Sequence, residues 1–491
     1  MTASAVPSGF RGPLGALFAG VLSLLALAGC SVNPATGDRQ FTAFMSPSQE
    51  RQIGAQQDQE ITKQFGGVYE DPEITEYVDG IGQRLAQYGE RPELSYSFTV
   101  LDSDIVNAFA LPGGYIYITR GLLAIGYDEA EIAGVIAHEI GHVTARHSAE
   151  RYSQSVLAQL GGAVLGATVN GALANQVYGL GANLYLQSYS RDQEYEADSL
   201  GVRYLSRAGY DPYAMADFLS GLRAHSRLQA AIAGDPSAAD RFSLFASHPR
   251  TDKRVLEAVR KAGGAAAPGQ GTRARDRYLD AVDGMAYGGS RKQGFVRGRA
   301  FIHPDLRFRF EVPQGFNIIN GQAQVSAVGR DDAALVFDMA PAGNARGPDA
   351  YLSRVWAQGA RLSSLERITV NGMPAATAVT RRDGAELRLV AIQGDGGRMF
   401  RFVFRATPRV MDGLDAAFRK TTYSFERLSR SEAANYEPLR IDVVEVAEGE
   451  TVESLARQLP FDDFRVERFR VLNGLNDGET LSPGQRVKVL R

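Results

Sequence analysis

The stretch His138-Glu139-Ile140-Gly141-His142 constrains this chain more than any other. On a helix its two histidines stand four apart and share a face, where both imidazoles can reach one tetrahedral metal ion. Glu139, one residue further round, is placed to meet a water on that ion. The residues leading in, Glu129 to Ala137, contain no helix breaker except Gly134, and Ile132, Val135 and Ile136 recur at buried-face spacing. A core helix is therefore expected, to which the rest of the fold must bring further ligands.

A metal site of catalytic type takes three protein ligands and keeps one position open. Cys30 is the only cysteine among 491 residues, which excludes a thiolate site and a disulfide framework. Acidic candidates lie in Arg191-Asp-Gln-Glu194-Tyr-Glu-Ala-Asp198, which reads as a second helix. Glu194 and Asp198 share a face, so one can bind the metal while the other anchors the far ring nitrogen of a ligand histidine. Glu196 points elsewhere. Two histidines and a glutamate with an open position suit zinc better than other divalent ions. His147 falls about half a turn out of phase with His138 on a continuous helix, and is expected behind the ligands or at the surface. His225 and His303 have no visible partners.

The cysteine has its own context. Arg11 precedes an apolar stretch from Leu14 to Leu27, too short to span a bilayer comfortably but suited to a signal peptide. It ends in Leu27-Ala28-Gly29-Cys30, which resembles a bacterial lipobox. That resemblance implies removal of residues 1–29 and lipidation of Cys30, and Ser31 after it favours the outer membrane. Residues 30–45 then form a polar, turn-rich tether.

The composition, 44% hydrophobic and 22% charged, is that of a folded protein, and the length predicts two to four domains. A net charge of −3 gives no basic footprint for nucleic acid. The fold class expected is α+β, multidomain. In residues 46–262 helical periodicity runs from Ser46 to Tyr88, Leu94–Leu101 reads as a strand, and Asn107–Ile118 as strand, turn and strand. The Ala/Gly-rich stretch Val156–Asn183, with three amides, suits a helical cover better than a membrane span. A Gly/Ala/Pro-rich run opens a linker over 263–290. In 291–430, Leu306, Phe308, Phe310 and Val312 alternate with charged residues, as do Phe400, Phe402 and Phe404, which predicts a sheet with one apolar face. Helical stretches near 348–359 and 409–424 could cover it. Residues 436–491 resemble a LysM module of βααβ order. The match rests on Gly449-Glu-Thr451, Leu472-Asn473 and Pro483-Gly484, and an unusually long middle at Pro460–Phe464 leaves glycan binding open.

Over roughly residues 30 to 260 the motifs together resemble a known family. His138-Glu139-x-x-His142, Glu194-x-x-Ala197-Asp198, Asn107-Ala-Phe-Ala-Leu-Pro-Gly-Gly114, Ser247-His248-Pro249 and Asn33-Pro-Ala-Thr-Gly37 are similar to those of the zinc peptidases that include the BepA-like periplasmic proteases and the CAAX prenyl proteases. The resemblance implies a mainly helical gluzincin domain with one Zn2+ on His138, His142 and Glu194, Glu139 as general base, and Asp198 supporting a ligand. His248 either donates to the oxyanion or takes the fourth zinc position and holds the enzyme latent. Asn107, Ala108, Phe109 and Ala110 are candidates for pairing with an extended substrate through backbone hydrogen bonds.

The expected function is that of a lipid-anchored, periplasm-facing zinc metalloendopeptidase acting on misfolded or misassembled envelope proteins. Its partners would be those proteins, the membrane through Cys30, and peptidoglycan through the LysM-like module. Two alternatives stand beside it. One is a chaperone or scaffold with structural zinc, which would have no use for Glu139. The other is a peptidase that cuts peptidoglycan crosslinks.

Overall fold

The computed structural model describes residues 30–164, 188–232, 234, 248, 252–265, 267–321 and 323–491. The apolar leader and most of the Ala/Gly-rich stretch lie outside the described residues, among which no helix is long and apolar enough to cross a membrane.

The chain begins with a small antiparallel hairpin, β1 (Cys30–Val32) and β2 (Arg39–Phe41). Helices α1 (Pro47–Gln64) and α2 (Pro72–Ala86) start where their caps dictate: Ser46 forms a capping box with Gln49, and the Asp71 carboxylate accepts from the Ile74 amide. A three-stranded sheet follows, β3 (Ser97–Leu101), β4 (Ala108–Leu111) and β5 (Tyr115–Thr119). Its order is β3-β5-β4, with β3 parallel and β4 antiparallel to β5. Then come α3 (Arg120–Ile125), α4 (Glu129–Thr144), α5 (His147–Val164), α6 (Arg191–Arg207), α7 (Ala214–Ile232) and α8 (Asp252–Ala265).

Every residue of α4 is buried. Its Ile132, Val135, Ile136 and Ile140 join Phe98, Val100, Ile116 and Ile118 of the sheet and Ile74, Val78 and Ile81 of α2 in one core. Gly141 sets its approach to α6, since a Cβ there would come within 3.2 Å of the Ala197 carbonyl.

Residues 263–290, read from composition as a linker, contain α9 (Arg275–Val282) and β6 (Ala286–Tyr287), with Tyr278, Leu279 and Val282 buried. The small polar residues before them gave no sign of this, because the helix is held by tertiary packing. Next come β7 (Phe295–Arg297), β8 (Ala300–His303), β9 (Phe308–Glu311), β10 (Asn317–Asn320), β11 (Val325–Val328), β12 (Ala334–Pro341), β13 (Ser363–Val370), β14 (Met373–Arg382), β15 (Ala385–Gln393), β16 (Arg398–Ala406) and β17 (Glu426–Arg427). They form two sheets, β17-β9-β8-β7 and β10-β11-β12-β16-β15-β14-β13.

The alternating phenylalanines therefore do not share one sheet. Phe308 and Phe310 lie on β9 and Phe400, Phe402 and Phe404 on β16, and the two apolar faces meet, with Phe310 and Phe402 ring centres 5.1 Å apart. Helix α10 (Pro408–Ser424) covers the same core with Met411 and Phe418. The large sheet buries its second face too, where Ala376, Ala378, Leu389 and Met399 pack on Tyr351 and Leu352. Alternation reports which residues share a face; it does not report which strands pair.

The C-terminal residues run β18 (Leu439–Glu445), α11 (Val452–Ala456), α12 (Arg465–Asn473) and β19 (Arg486–Leu490). Strand β18 pairs with β19 on one side and β6 on the other. The Asn473 side chain ties α12 to β19 by donating to the Lys488 carbonyl at 2.9 Å and accepting from its amide at 2.7 Å. The core of this unit is continuous with that of the N-terminal part: Val452, Leu455, Phe469, Val487 and Leu490 belong to the same cluster as the apolar residues of α4. Lys488 is fully buried, and its Nζ donates to the carbonyls of Ala124 (2.9 Å) and Gly126 (2.6 Å) at the end of α3.

Candidate metal centre

Helix α4 presents His138 and His142 on one face, with their Nε2 atoms 3.0 Å apart. Glu194, in the first turn of α6, places Oε2 3.6 Å from His138 Nε2 and Oε1 3.6 Å from His142 Nε2. His248 adds Nδ1, 3.3 Å from His138 Nε2 and 2.9 Å from Glu194 Oε1. All four side chains are buried, and one donor atom from each lies within 4.8 Å of the others. Around an ion with bonds of ~2.0–2.1 Å the edges of a tetrahedron are about 3.3 Å. The separations above scatter about that value, so the donor set fits zinc in both spacing and chemistry.

Glu139 lies beside this cluster, with Oε1 3.5 Å from His248 Nε2. It is fully buried, and neither of its carboxylate oxygens has a hydrogen-bond partner among the described residues. Burial raises its carboxyl above the ordinary range. Such an orphaned acid is costly unless it has a chemical use.

Around the ligands stands a ring of fixed groups. Asp198 Oδ1 lies 3.0 Å from His138 Nδ1. Arg254 of α8 makes two bonds to Asp198, from Nε (2.8 Å) and Nη2 (2.7 Å), and pairs Nη1 with Glu194 Oε2 at 2.6 Å. Against the cost of burial, His248 and Arg254 hold the Glu194 carboxyl below its usual range, and Arg254 and His138 do the same for Asp198. On the other flank His147 Nδ1 meets His142 Nδ1 at 2.8 Å, and Tyr189 stacks on the His142 ring at 3.8 Å. His142 is held well below its usual pKa, first by burial and then by the other histidines and Arg151 around it.

The structure thus gathers His138, Glu139, His142, Glu194, Asp198 and His248. Asn107–Ala110 lead into β4, an edge strand of its sheet, but Ala108, Phe109, Ala110 and Leu111 are all buried, so no substrate can reach them in this state. Cys30 begins the hairpin that packs near α5 and α6. Glu196 does not join the ligands. It does not point away from the site either, since its Oε2 lies 3.5 Å from His147 Nε2.

Arg254 and Tyr189 escaped the sequence reading. Charge bookkeeping offered a signal for Arg254, because three carboxylates in one buried site need a cation. Of the two places expected for His147, the structure gives the one behind the ligands: the chain breaks at Arg146, whose φ of 58° separates α4 from α5 and turns His147 back onto His142.

A buried helix carrying His-Glu-x-x-His, with a glutamate supplied by a later helix, defines a zinc metallopeptidase domain. Residues 72–262 match the model of Peptidase family M48. Similar proteins include the beta-barrel assembly-enhancing protease of Yersinia pestis, 31% identical over 207 residues, which are 39% of this chain and 40% of that protein. Its counterpart in Escherichia coli K12 is 29% identical over 39% of each. The mitochondrial metalloendopeptidase OMA1 of Arabidopsis thaliana is 40% identical over 119 residues, 24% of each chain. The match to the bacterial relatives therefore spans about two fifths of their length.

Proposed function

We propose that the protein is a periplasm-facing zinc metalloendopeptidase, tethered by a lipid on Cys30, that hydrolyses peptide bonds of misfolded or misassembled envelope proteins. The observation that carries the reading is Glu139, a buried carboxylate with no hydrogen-bond partner among the described residues, beside four convergent donors. The names of the bacterial relatives support the substrate class. His138, His142 and Glu194 hold the metal, and Asp198, fixed by Arg254, orients His138. Zinc bound there supplies Lewis acidity that makes a water acidic near neutral pH. Glu139 would accept the proton of the attacking water and hand it on to the departing amine. Asn107–Ala110 receive the substrate backbone once their cover opens.

His248 takes the fourth place among the donors and faces Glu139. We assign it to a latent state in which it excludes water. Zinc content and casein cleavage test the whole reading. The Glu139→Gln variant should keep its zinc and lose activity at least about 100-fold, while His248→Ala should raise cleavage. A wild type that binds zinc yet stays as inert as Glu139→Gln, even with His248→Ala added, would sink it.

The strand-helix-helix-strand order of residues 439–490 supports a second, separate reading, that this unit binds glycan. Sedimentation of the whole chain with purified peptidoglycan tests it, and failure to cosediment rules it out.

A further inference from the structure

Behind the two candidate ligand histidines the structure builds two different supports. His138 leans directly on Asp198. His142 leans on His147, whose far nitrogen faces Glu196, and the other oxygen of Glu196 accepts from Asn33 Nδ2 at 2.6 Å. Asn33 is itself buried at the turn of the β1–β2 hairpin. Its amide donates to the Asp38 carbonyl (2.7 Å), its carbonyl accepts from Gly37 (2.9 Å), and its side-chain oxygen accepts from Ala35 (2.9 Å). Arg203 of α6 holds the same turn through the Ala35 carbonyl at 3.3 Å.

The proton arrangement along this row is determined. With His142 Nε2 given to the metal, its proton sits on Nδ1 and points at His147 Nδ1. His147 must then carry its own proton on Nε2, toward Glu196. Glu196 is left to accept from Asn33 on one oxygen and to face His147 with the other. The His147–Glu196 step, at 3.5 Å, is the longest of the row and an ion-pair contact rather than a closed hydrogen bond.

We propose that the turn Asn33–Thr36 is a positioning element of the metal centre, acting on His142 through Glu196 and His147. The residues that follow the candidate lipid anchor thereby reach the ligand set through two side chains. This inference rests on the metal site proposed above.

Zinc dissociation constants, measured by chelator competition on the full chain, test it independently of activity. His147→Ala should weaken zinc binding about 10- to 100-fold, and His147→Asn, which keeps an acceptor for His142 Nδ1, should recover part of that loss. Asn33→Ala should weaken binding about threefold or more in the wild type and not at all in the His147→Ala background. Melting of the metal-free variants reports any general damage to the fold. An equal Asn33→Ala loss in both backgrounds, or His147→Ala within about twofold of wild type, overturns the proposal while leaving the peptidase reading intact. A wild type that binds no zinc overturns both.

Discussion

Arg254 spans the two carboxylates of α6, and its guanidinium is as buried as they are. With metal present, part of their charge is neutralised from the other side; without it, Arg254 stands against them with the histidines alone. Arg254→Met should therefore destabilise the metal-free protein by about 3–5 kcal/mol and the zinc-loaded protein by clearly less. Thermal melts with and without chelator would read this as a wider gap between the two forms than in wild type. What the sequence disclosed at this scale follows the same division. His138, His142, Glu194 and Asp198 were legible because each pair is set by helical spacing within a single segment. Arg254, Tyr189 and the link through His147 were not, since they depend on how separate helices meet and on a single left-handed residue at Arg146.

Among the elements, α2 offers a test of close packing. Gly82 faces the sheet, and a Cβ there would meet the Phe98 ring at 2.4 Å, whereas one on Gly80 would meet nothing within 4 Å. Alanine should act with opposite sign at the two sites. Gly82→Ala is expected to cost about 1–3 kcal/mol, and Gly80→Ala to add about 0.5–1 kcal/mol by stiffening an exposed helical position, both measurable by urea unfolding. Helices with strong caps and long apolar periodicity, such as α2 and α4, could be placed from sequence. The aromatic strands could be recognised but not assigned to a sheet: β9 and β16 carry the same alternating pattern, and only the pairing of β9 with β8 and of β16 with β12 and β15 separates them.

Across the whole molecule, the C-terminal unit and the peptidase domain share one core. Removing residues 436–491 would uncover the apolar residues of α3, α7 and α9 that Phe469, Leu455, Val487 and their neighbours pack against. At ~1.5–3 kcal/mol for each large apolar side chain so uncovered, a few such losses are comparable to the roughly 5–15 kcal/mol that holds a domain folded. The truncated chain should bind no zinc and show no fixed tertiary structure by near-ultraviolet circular dichroism. A truncated protein that kept its metal would refute the shared core.

Lys488 gives the same junction a pH signature. Burial pushes its ammonium from 10.5 down to about 7 in the folded protein. Between those values the unfolded chain binds a proton that the folded chain does not, so stability rises with pH, by about 1.4 kcal/mol per unit from this group. Urea midpoints at several pH values between 7.5 and 9.5 should climb in the wild type, and Lys488→Met should remove that part of the slope. Nothing in the local pattern of residues 436–491 announces this docking, because their partners lie in α3, α7 and α9, far earlier in the chain.

The seat of Lys488 also bears on when the protein can begin to work. A chain made from its N-terminus releases the His-Glu-x-x-His helix early, yet the carbonyls of Ala124 and Gly126 wait for a side chain 364 and 362 residues further on. Until β19 arrives, the cluster around α4 is open on one side. The newborn polypeptide thus carries the residues proposed to cut peptides past several hundred further residues of synthesis without a finished scaffold to aim them, which on that reading spares it and its neighbours on the way out.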